Sequence, residues 1–217
     1  MLMYASRTGT RRNLDALRAA GWRLLVSATG CHRHEGFSYM LDNGAYTYWR
    51  QGVPYDPVPF RRLLASHGAG ADMIVAPDIV AGGLESLQMS LLWLPELLTY
   101  GSRILIPVQD GMTADDLSPV VSDRIGIFLG GSTEWKEATM VYWGRFCRDT
   151  GSYYHVGRVN TLRRVYMALE SGADSCDGSS ASRYSCTLPD LDFAARGHKW
   201  VTSGNKKGQL LMFKEAR

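Results

Sequence analysis

The sequence has little cysteine, with four residues among 217, at Cys31, Cys147, Cys176 and Cys186. No two of them have the Cys-x-x-Cys spacing that is typical of zinc sites and redox motifs. Small secreted proteins that depend on disulfides carry much more cysteine than this. The composition therefore suggests neither a disulfide framework nor a four-thiolate zinc site, and we expect a protein of the reducing cytoplasm.

Long hydrophobic runs and a strong excess of charge are also missing. No stretch reaches the roughly eighteen apolar residues of a membrane span, and the first residues lack the apolar core of a signal peptide. We therefore expect no membrane partner and no secretion. Lys and Arg number 24 against 21 Asp and Glu, a net charge of +3. Such a balance permits a nucleic-acid partner without requiring one, because phosphate binding depends on local clustering of charge.

Apolar residues are abundant enough, at 45%, to bury a substantial core. We predict one domain over residues 1–217, with a basic extension from about 189. Short strand-like stretches alternate with amphipathic helices, which is typical of a (β/α)8 barrel. The segment between the second and third predicted strands has room only for a loop, so the predicted α/β barrel is compact and lacks one helix. The predicted strands cover 2–6, 22–28, 37–46, 71–78, 103–111, 124–131, 151–158 and the residues before Asp177, and the predicted helices cover 10–20, 56–67, 84–100, 113–121, 134–149 and 161–171.

Polar residues recur where these strands should end, which is where barrel enzymes keep their chemistry. We expect Asp174 and Asp177 near the end of the eighth strand, and flexible residues follow Asp177 directly. Residues three apart on a strand point to opposite faces, so we expect Asp177 to face the barrel mouth. Each carboxylate also has an ordinary interpretation as a solvated loop residue, and Asp42-Asn43-Gly44 also fits a hairpin turn.

The loop from Thr29 to Gly36 contains Cys31, His32, His34 and Glu35. Neighbouring residues of one short loop cannot all converge on a single ion, and the sequence offers no second ligand pair with suitable spacing. Metal binding is therefore not favoured.

The ordered set of strand-end residues resembles the tRNA-guanine transglycosylase family over roughly residues 38 to 183. Asp42-Asn-Gly-Ala-Tyr46 is similar to that family's Asp-Ser-Gly-Gly-Phe motif, and Val108-Gln-Asp-Gly111 is similar to its Val-Gln-Gly segment. Leu129-Gly-Gly131 resembles a Gly-Gly strand end. His155-Val-Gly157, a helix and then residues 172–183 resemble the region that carries the family's nucleophile. The resemblance implies a barrel that exchanges guanine in a polynucleotide for a 7-deazaguanine base.

The resemblance also implies roles for individual residues. Asp177 takes the position of the nucleophile, and Asp42 would serve as general acid and base. No cofactor is implied, because exchange of one base for another is nearly isoenergetic. The expected substrate-binding residues are Asp78, Gln109, Gly130, Gly131, His155 and Gly157, and the expected phosphate contacts are Arg183, Lys199, Lys206 and Lys207.

The sequence departs from the family in one respect that bears on the polymer. The family's Cys-x-Cys-x-x-Cys and histidine zinc subdomain should follow the nucleophile, but only Cys186 lies downstream of Asp177. We therefore expect no structural zinc, and the chain resembles the compact DNA-modifying branch of phages and bacterial modification clusters. The expected partners are DNA, or alternatively tRNA, and a free 7-deazaguanine base, in the host cytoplasm if the protein is phage-encoded.

Two other classes of function stay open at the level of sequence. A hydrolytic glycosidase or nucleosidase could use the same carboxylates with water resolving the intermediate. A non-catalytic barrel that binds nucleic acid is the other alternative. The sequence does not indicate an oligomeric state.

Overall fold

The computed structural model describes residues 1–7 and 10–198 of the chain. Eight parallel strands follow one another in chain order around a closed barrel, and the first strand pairs with the eighth. The predicted α/β barrel of the (β/α)8 type is therefore confirmed. Lys199, Lys206 and Lys207, three of the expected phosphate contacts, lie outside the described residues.

Strands and helices alternate as the periodicity predicts. The strands are β1 Leu2–Ser6, β2 Arg23–Ser27, β3 Tyr39–Asp42, β4 Met73–Val75, β5 Arg103–Val108, β6 Ile125–Leu129, β7 Tyr154–Val156 and β8 Ser175–Gly178. The helices are α1 Arg11–Ala19, α2 Ala45–Gln51, α3 Pro57–His67, α4 Gly83–Leu97, α5 Ala114–Leu117, α6 Thr133–Thr150, α7 Leu162–Glu170, α8 Ser180–Arg183 and α9 Leu188–Ala195. None of the helices in the described ranges is long and apolar enough to span a membrane.

Side-chain caps fix where several helices begin. The Thr10 hydroxyl accepts the Asn13 N–H at the start of α1, and the Ser132 hydroxyl accepts the Trp135 N–H at the start of α6. At α3, Asp56 accepts the Val58 N–H, and a proline occupies the first helical turn. These contacts satisfy N–H groups that have no partner within the helix, so the local sequence defines these boundaries.

Two layers of apolar side chains enclose the barrel wall. The larger layer lies between the sheet and the helices, and includes fully buried residues such as Phe60 and Trp143. The smaller one contains Tyr4, Leu25, Met40, Met73, Val75 and Leu105. Leu25 and Val75 of this smaller cluster also line the cavity described below. The smaller cluster therefore forms the apolar base beneath the polar ends of the strands.

The connections on either side of β3 test two expectations. No helix lies between β2 and β3, as the short spacing predicted. The hairpin alternative for Asp42-Asn43-Gly44 is wrong, because β3 ends at Asp42 and α2 begins at Ala45. Gly44, with φ of 82°, turns the chain into that helix. The predicted third strand was therefore too long, and α2 was not predicted.

Candidate functional site

A cavity of about 630 Å³ lies at the carboxyl ends of the strands. This is the size range of pockets that hold small molecules. The loops and short helices that follow the strands form its walls, which is the usual site of chemistry in such barrels. The cavity brings together most of the residues that the sequence singled out, namely Asp42, Asp78, Gln109, Gly130, Gly131, Asp177 and Arg183.

Asp177 lies on β8 and is 6% exposed. Its Oδ1 is 3.1 Å from His155 Nε2 and accepts the Arg158 backbone N–H at 3.2 Å. Its Oδ2 has no hydrogen-bond partner among the residues that the structure describes. One oxygen is therefore held in place while the other is free to react with a molecule in the cavity.

His155 and Gly157 lie behind the cavity wall rather than on its surface. The His155 imidazole has no exposed area, and its Nδ1 is 2.8 Å from Ser175 Oγ. The Phe128 ring stacks on it with centroids 4.9 Å apart. The Gly157 carbonyl accepts a hydrogen bond from Lys136 Nζ. These two residues were expected to bind substrate, but their placement fits a supporting role for Asp177.

Arg158 connects several parts of the site. Its φ of 58° is left-handed, a conformation that is strained for a residue other than glycine, and it directs the Arg158 N–H at Asp177. Its guanidinium donates to the Gly131 carbonyl and lies 5.1 Å from the centroid of the Tyr46 ring. Lys136, only 1% exposed, holds the carbonyl of the preceding residue, Gly157. The buried Lys136 and the strained Arg158 together fix the turn that follows β7.

Asp42 ends β3 and faces the same cavity as Asp177. It accepts the Gly44 N–H at 3.2 Å and a hydrogen bond from Ser27. Burial, with a smaller contribution from the negative charge of Asp177, raises the pKa of Asp42 to about 6. A carboxyl group with this pKa can both donate and accept a proton near neutral pH.

Asp78 sits in a network of amides. Its Oδ1 accepts from Asn43 Nδ2 at 2.9 Å and its Oδ2 accepts from Gln109 Nε2 at 2.6 Å. Burial and the nearby charge of Asp42 raise the pKa of Asp78 to about 7, although the hydrogen bonds from Asn43 and Gln109 lower it. Asn43 is itself fixed, because it donates to the Ala76 carbonyl and accepts the Ala45 N–H. A buried carboxyl group of this kind favours a ligand that presents N–H donors.

The Gly130-Gly131 pair closes the cavity beside Gln109. The Gly130 N–H donates to the Val108 carbonyl and is not available to a ligand in this structure. The Gly131 N–H donates to Gln109 Oε1 at 3.1 Å, so a movement of that side chain would release it. Both glycines therefore line the cavity, as expected of residues that bind a base, but the Gly130 N–H already has a partner in the protein.

Asp174 does not join the site. It precedes β8 instead of ending it, is exposed, and accepts the Tyr154 N–H through Oδ2 at 2.9 Å. The expectation that both Asp174 and Asp177 lie at a strand end is therefore wrong for Asp174, because the strand runs from Ser175 to Gly178. Arg183, in contrast, is exposed on α8 and lines the mouth of the cavity.

Several lining or supporting residues were missed from the sequence, namely Asn43, Tyr46, Arg50, Lys136, Arg158 and Asn160. Two of them lie within two residues of a strand end, since Asn43 adjoins Asp42 and Arg158 comes two residues after β7. Their position near a strand end could have identified them as site residues from the sequence. The Asn160 side chain accepts the backbone N–H groups of Ser179 and Ser180, a contact that no local pattern reports.

The two histidines of the loop before β3, His32 and His34, each pack against His67, the last residue of α3. The His34 ring stacks on Tyr39 with centroids 4.6 Å apart, and lies 5.8 Å from the His67 ring. His32 lies 6.4 Å from His67. Within residues 1–7 and 10–198, no group of three histidine, cysteine or acidic residues is arranged to hold a metal ion.

Comparisons with known proteins add no assignment to this geometry. A scan against protein-family models gives no match to the chain, and a search of curated proteins gives none either. Inferences about function therefore rest on the residues of the cavity and on the sequence motifs that they carry.

Proposed function

We propose that the protein is a base-exchange transglycosylase that replaces guanine in DNA with a 7-deazaguanine, through a covalent intermediate on Asp177. One observation supports this proposal above the others. Asp42, Asp78, Gln109 and Asp177, which are far apart in the sequence, line a single cavity at the mouth of the barrel. They are also the residues on which the motif resemblance depends.

In the first half of the reaction, the free oxygen of Asp177 attacks C1′ of the target nucleotide. The C1′–N9 bond breaks, its electron pair passes to N9 of guanine, and protonated Asp42 supplies the proton that N9 takes. The raised pKa of Asp42, about 6, keeps part of this group protonated near neutral pH. The product is a glycosyl ester on Asp177 and a free guanine.

In the second half, the incoming deazaguanine reverses these steps. Its ring N–H loses a proton to ionised Asp42, and the nitrogen attacks C1′. The C1′–O bond of the ester breaks and its electron pair returns to Asp177. Two displacements at C1′ retain the configuration, as in retaining glycosidases.

Asp78 and Gln109 would recognise the base during both halves. The guanine edge carries adjacent N–H donors, and the Asp78 carboxylate is a matching acceptor at the base of the cavity. A bound donor edge would replace the amide contacts that Asp78 now makes with Asn43 and Gln109. Reaction on a duplex requires the guanine to leave the base stack first.

The test is incorporation of radiolabelled guanine by purified protein into DNA and, in parallel, into unmodified tRNA. We expect label in DNA. Label in tRNA alone would contradict the choice of polymer, and release of free base without incorporation would indicate the hydrolytic alternative. Binding without either activity would leave the non-catalytic alternative.

A matched pair of variants tests the nucleophile. Asp177→Asn should abolish incorporation, by about a thousandfold or more, because an amide cannot form the ester. Asp174→Asn makes the same change three residues away, at an exposed position outside the cavity, and should keep full activity. Retained exchange in Asp177→Asn would overturn the assignment.

A further inference from the structure

Two exposed aromatic side chains of α2 stack on each other at the edge of the cavity. Tyr46 is 40% exposed and Trp49 is 54% exposed. Their ring centroids are 5.6 Å apart and their planes differ by 28°. Tyr46 lines the cavity, so the pair continues the cavity wall onto the outer surface. A stacked pair leaves an outer ring face for a further ring system, and Trp49 is the more exposed of the two rings.

Arginine side chains surround the same opening. Arg50 on α2, Arg158 after β7 and Arg183 on α8 all line the cavity. Arg50 and Arg183 are exposed and form no ion pair with any residue in the described part of the chain. The interior of the cavity, in contrast, holds the carboxyl groups of Asp42 and Asp177. A positive rim therefore encloses an acidic interior.

This distribution of charge selects the kind of ligand. Phosphate groups are attracted to the rim and repelled by the carboxyl groups inside. An uncharged ring with N–H donors is suited to the interior. A nucleic-acid strand combines both properties, if one base enters the cavity while its phosphates remain outside.

We infer that the rim formed by Tyr46, Trp49, Arg50 and Arg183 binds an unpaired DNA strand. A base next to the inserted one stacks on the Tyr46–Trp49 pair, and Arg50 and Arg183 contact the phosphates on the two sides of the opening. Base faces are available for such stacking only where the strand is not within a duplex. This inference rests on the proposed function, because it places the target base in the cavity.

Binding is measured in the Asp177→Asn protein, which cannot turn over the strand. The probe is a fluorescent single-stranded DNA of about 12 nucleotides with one guanine, a length within the usual range of such sites. The same strand annealed to its complement is the comparison, and fluorescence anisotropy reports both affinities over a series of salt concentrations. We expect the single strand to bind more tightly than the duplex.

Two variants separate stacking from charge. Trp49→Ala should weaken binding about fivefold or more, the usual effect of removing one stacking ring, without changing the salt dependence. Arg50→Ala should reduce the slope of log K against log salt by about 0.7, the value for one phosphate contact on a single strand. Arg145→Ala removes an equal charge from an exposed position on α6 that does not line the cavity, and should change neither quantity.

Unchanged affinity in Trp49→Ala would overturn the inference, as would equal losses in Arg50→Ala and Arg145→Ala. Equal or tighter binding of the duplex, or no binding of the single strand, would overturn it as well. These outcomes are independent of the exchange assay. If exchange fails while Trp49 and Arg50 control binding, the proposed chemistry is wrong and the surface is retained. If exchange succeeds and neither residue affects binding, the proposed chemistry is retained and the proposed binding surface is wrong.

Discussion

The Nε2 of His155 lies 3.1 Å from Oδ1 of Asp177, and the imidazole has no exposed surface. The other ring nitrogen lies 2.8 Å from the Ser175 hydroxyl. A neutral imidazole donates from only one nitrogen, so a Ser175 O–H that donates to Nδ1 makes Nε2 the donor to Asp177. This chain of hydrogen bonds holds Oδ1, whereas Oδ2 has no hydrogen-bond partner among the described residues.

Replacing His155 should therefore slow the reaction while the other side chains of the site stay in place. His155→Phe keeps a buried planar ring beside Phe128 but removes the donor to Asp177. We expect the exchange rate to fall about 10- to 100-fold, the effect of a lost hydrogen bond to a buried charged group. Ser175→Ala, which leaves the imidazole but no longer fixes its tautomer, should have a smaller effect. Steady-state kinetics measure both, and a wild-type rate in His155→Phe would contradict this role.

Lys136 should affect the rate through the turn that follows β7. Its Nζ donates to the Gly157 carbonyl, and the next residue, Arg158, donates its backbone N–H to Asp177. Lys136→Met keeps the length of the side chain but leaves that carbonyl without its partner. We expect kcat to fall about tenfold, because the loss of one hydrogen bond is worth roughly 1.4 kcal/mol here, with KM for DNA unchanged. A loss confined to KM would argue against a positioning role.

The barrel could be predicted because its signals are local and repeated. Each strand is a short apolar run and most are followed by an amphipathic helix, so the alternation survives errors at single boundaries. Asp42, Asp78 and Asp177 were found in the same way. Carboxyl ends of parallel strands in a barrel meet at one face, so residues at successive strand ends predict a site without any distance being known.

The remaining features depend on contacts between distant segments. Asp42-Asn43-Gly44 has the composition of a hairpin turn, and only the packing around it decides that Gly44 leads into α2 instead. Lys136 lies on an amphipathic helix, where the sequence predicts a surface residue. Its amino group instead donates a hydrogen bond to a carbonyl 21 residues away. No pattern in the sequence reports that Arg158 adopts a left-handed conformation. Tertiary contacts override local preference at each of these places.

A side chain at Gly131 should destabilise the protein. Its φ is 70°, and an added Cβ would lie 2.5 Å from Asp110 Oδ2 and 2.7 Å from the Trp135 ring. Gly151 has a similar φ of 68°, but an added Cβ there would meet nothing within 4 Å. Gly151→Ala should cost about 1 kcal/mol from backbone strain alone, whereas Gly131→Ala should cost about 1–3 kcal/mol more because of the steric clash. Urea unfolding of the two variants measures the difference, and equal losses would contradict the steric argument.

Asp42 should reduce stability at neutral and alkaline pH. Its pKa is raised from the ordinary 3.8 to about 6, so the folded protein holds more protons than the unfolded chain between these values. Stability must then fall as pH rises through this window, and the loss persists above it. Asp42→Asn cannot ionise, and should be more stable than the wild type at pH 8 by up to about 3 kcal/mol, with little of this gain at pH 4. Urea unfolding at both pH values tests this, with Asp149→Asn, an exposed site on α6, as a control that should show no such dependence.

The same carboxyl group should set the pH dependence of the first chemical step. Guanine leaves only if Asp42 carries a proton, and this form becomes scarce above the pKa of about 6. Release of guanine in a single turnover should therefore slow as pH rises above about 6 in the wild type. Asp42→Asn should be slow at every pH and lose this dependence, because its amide offers no acidic proton. If the variant keeps the same pH profile, another group supplies the proton, and Asp42 reduces the stability of the protein without serving as its acid.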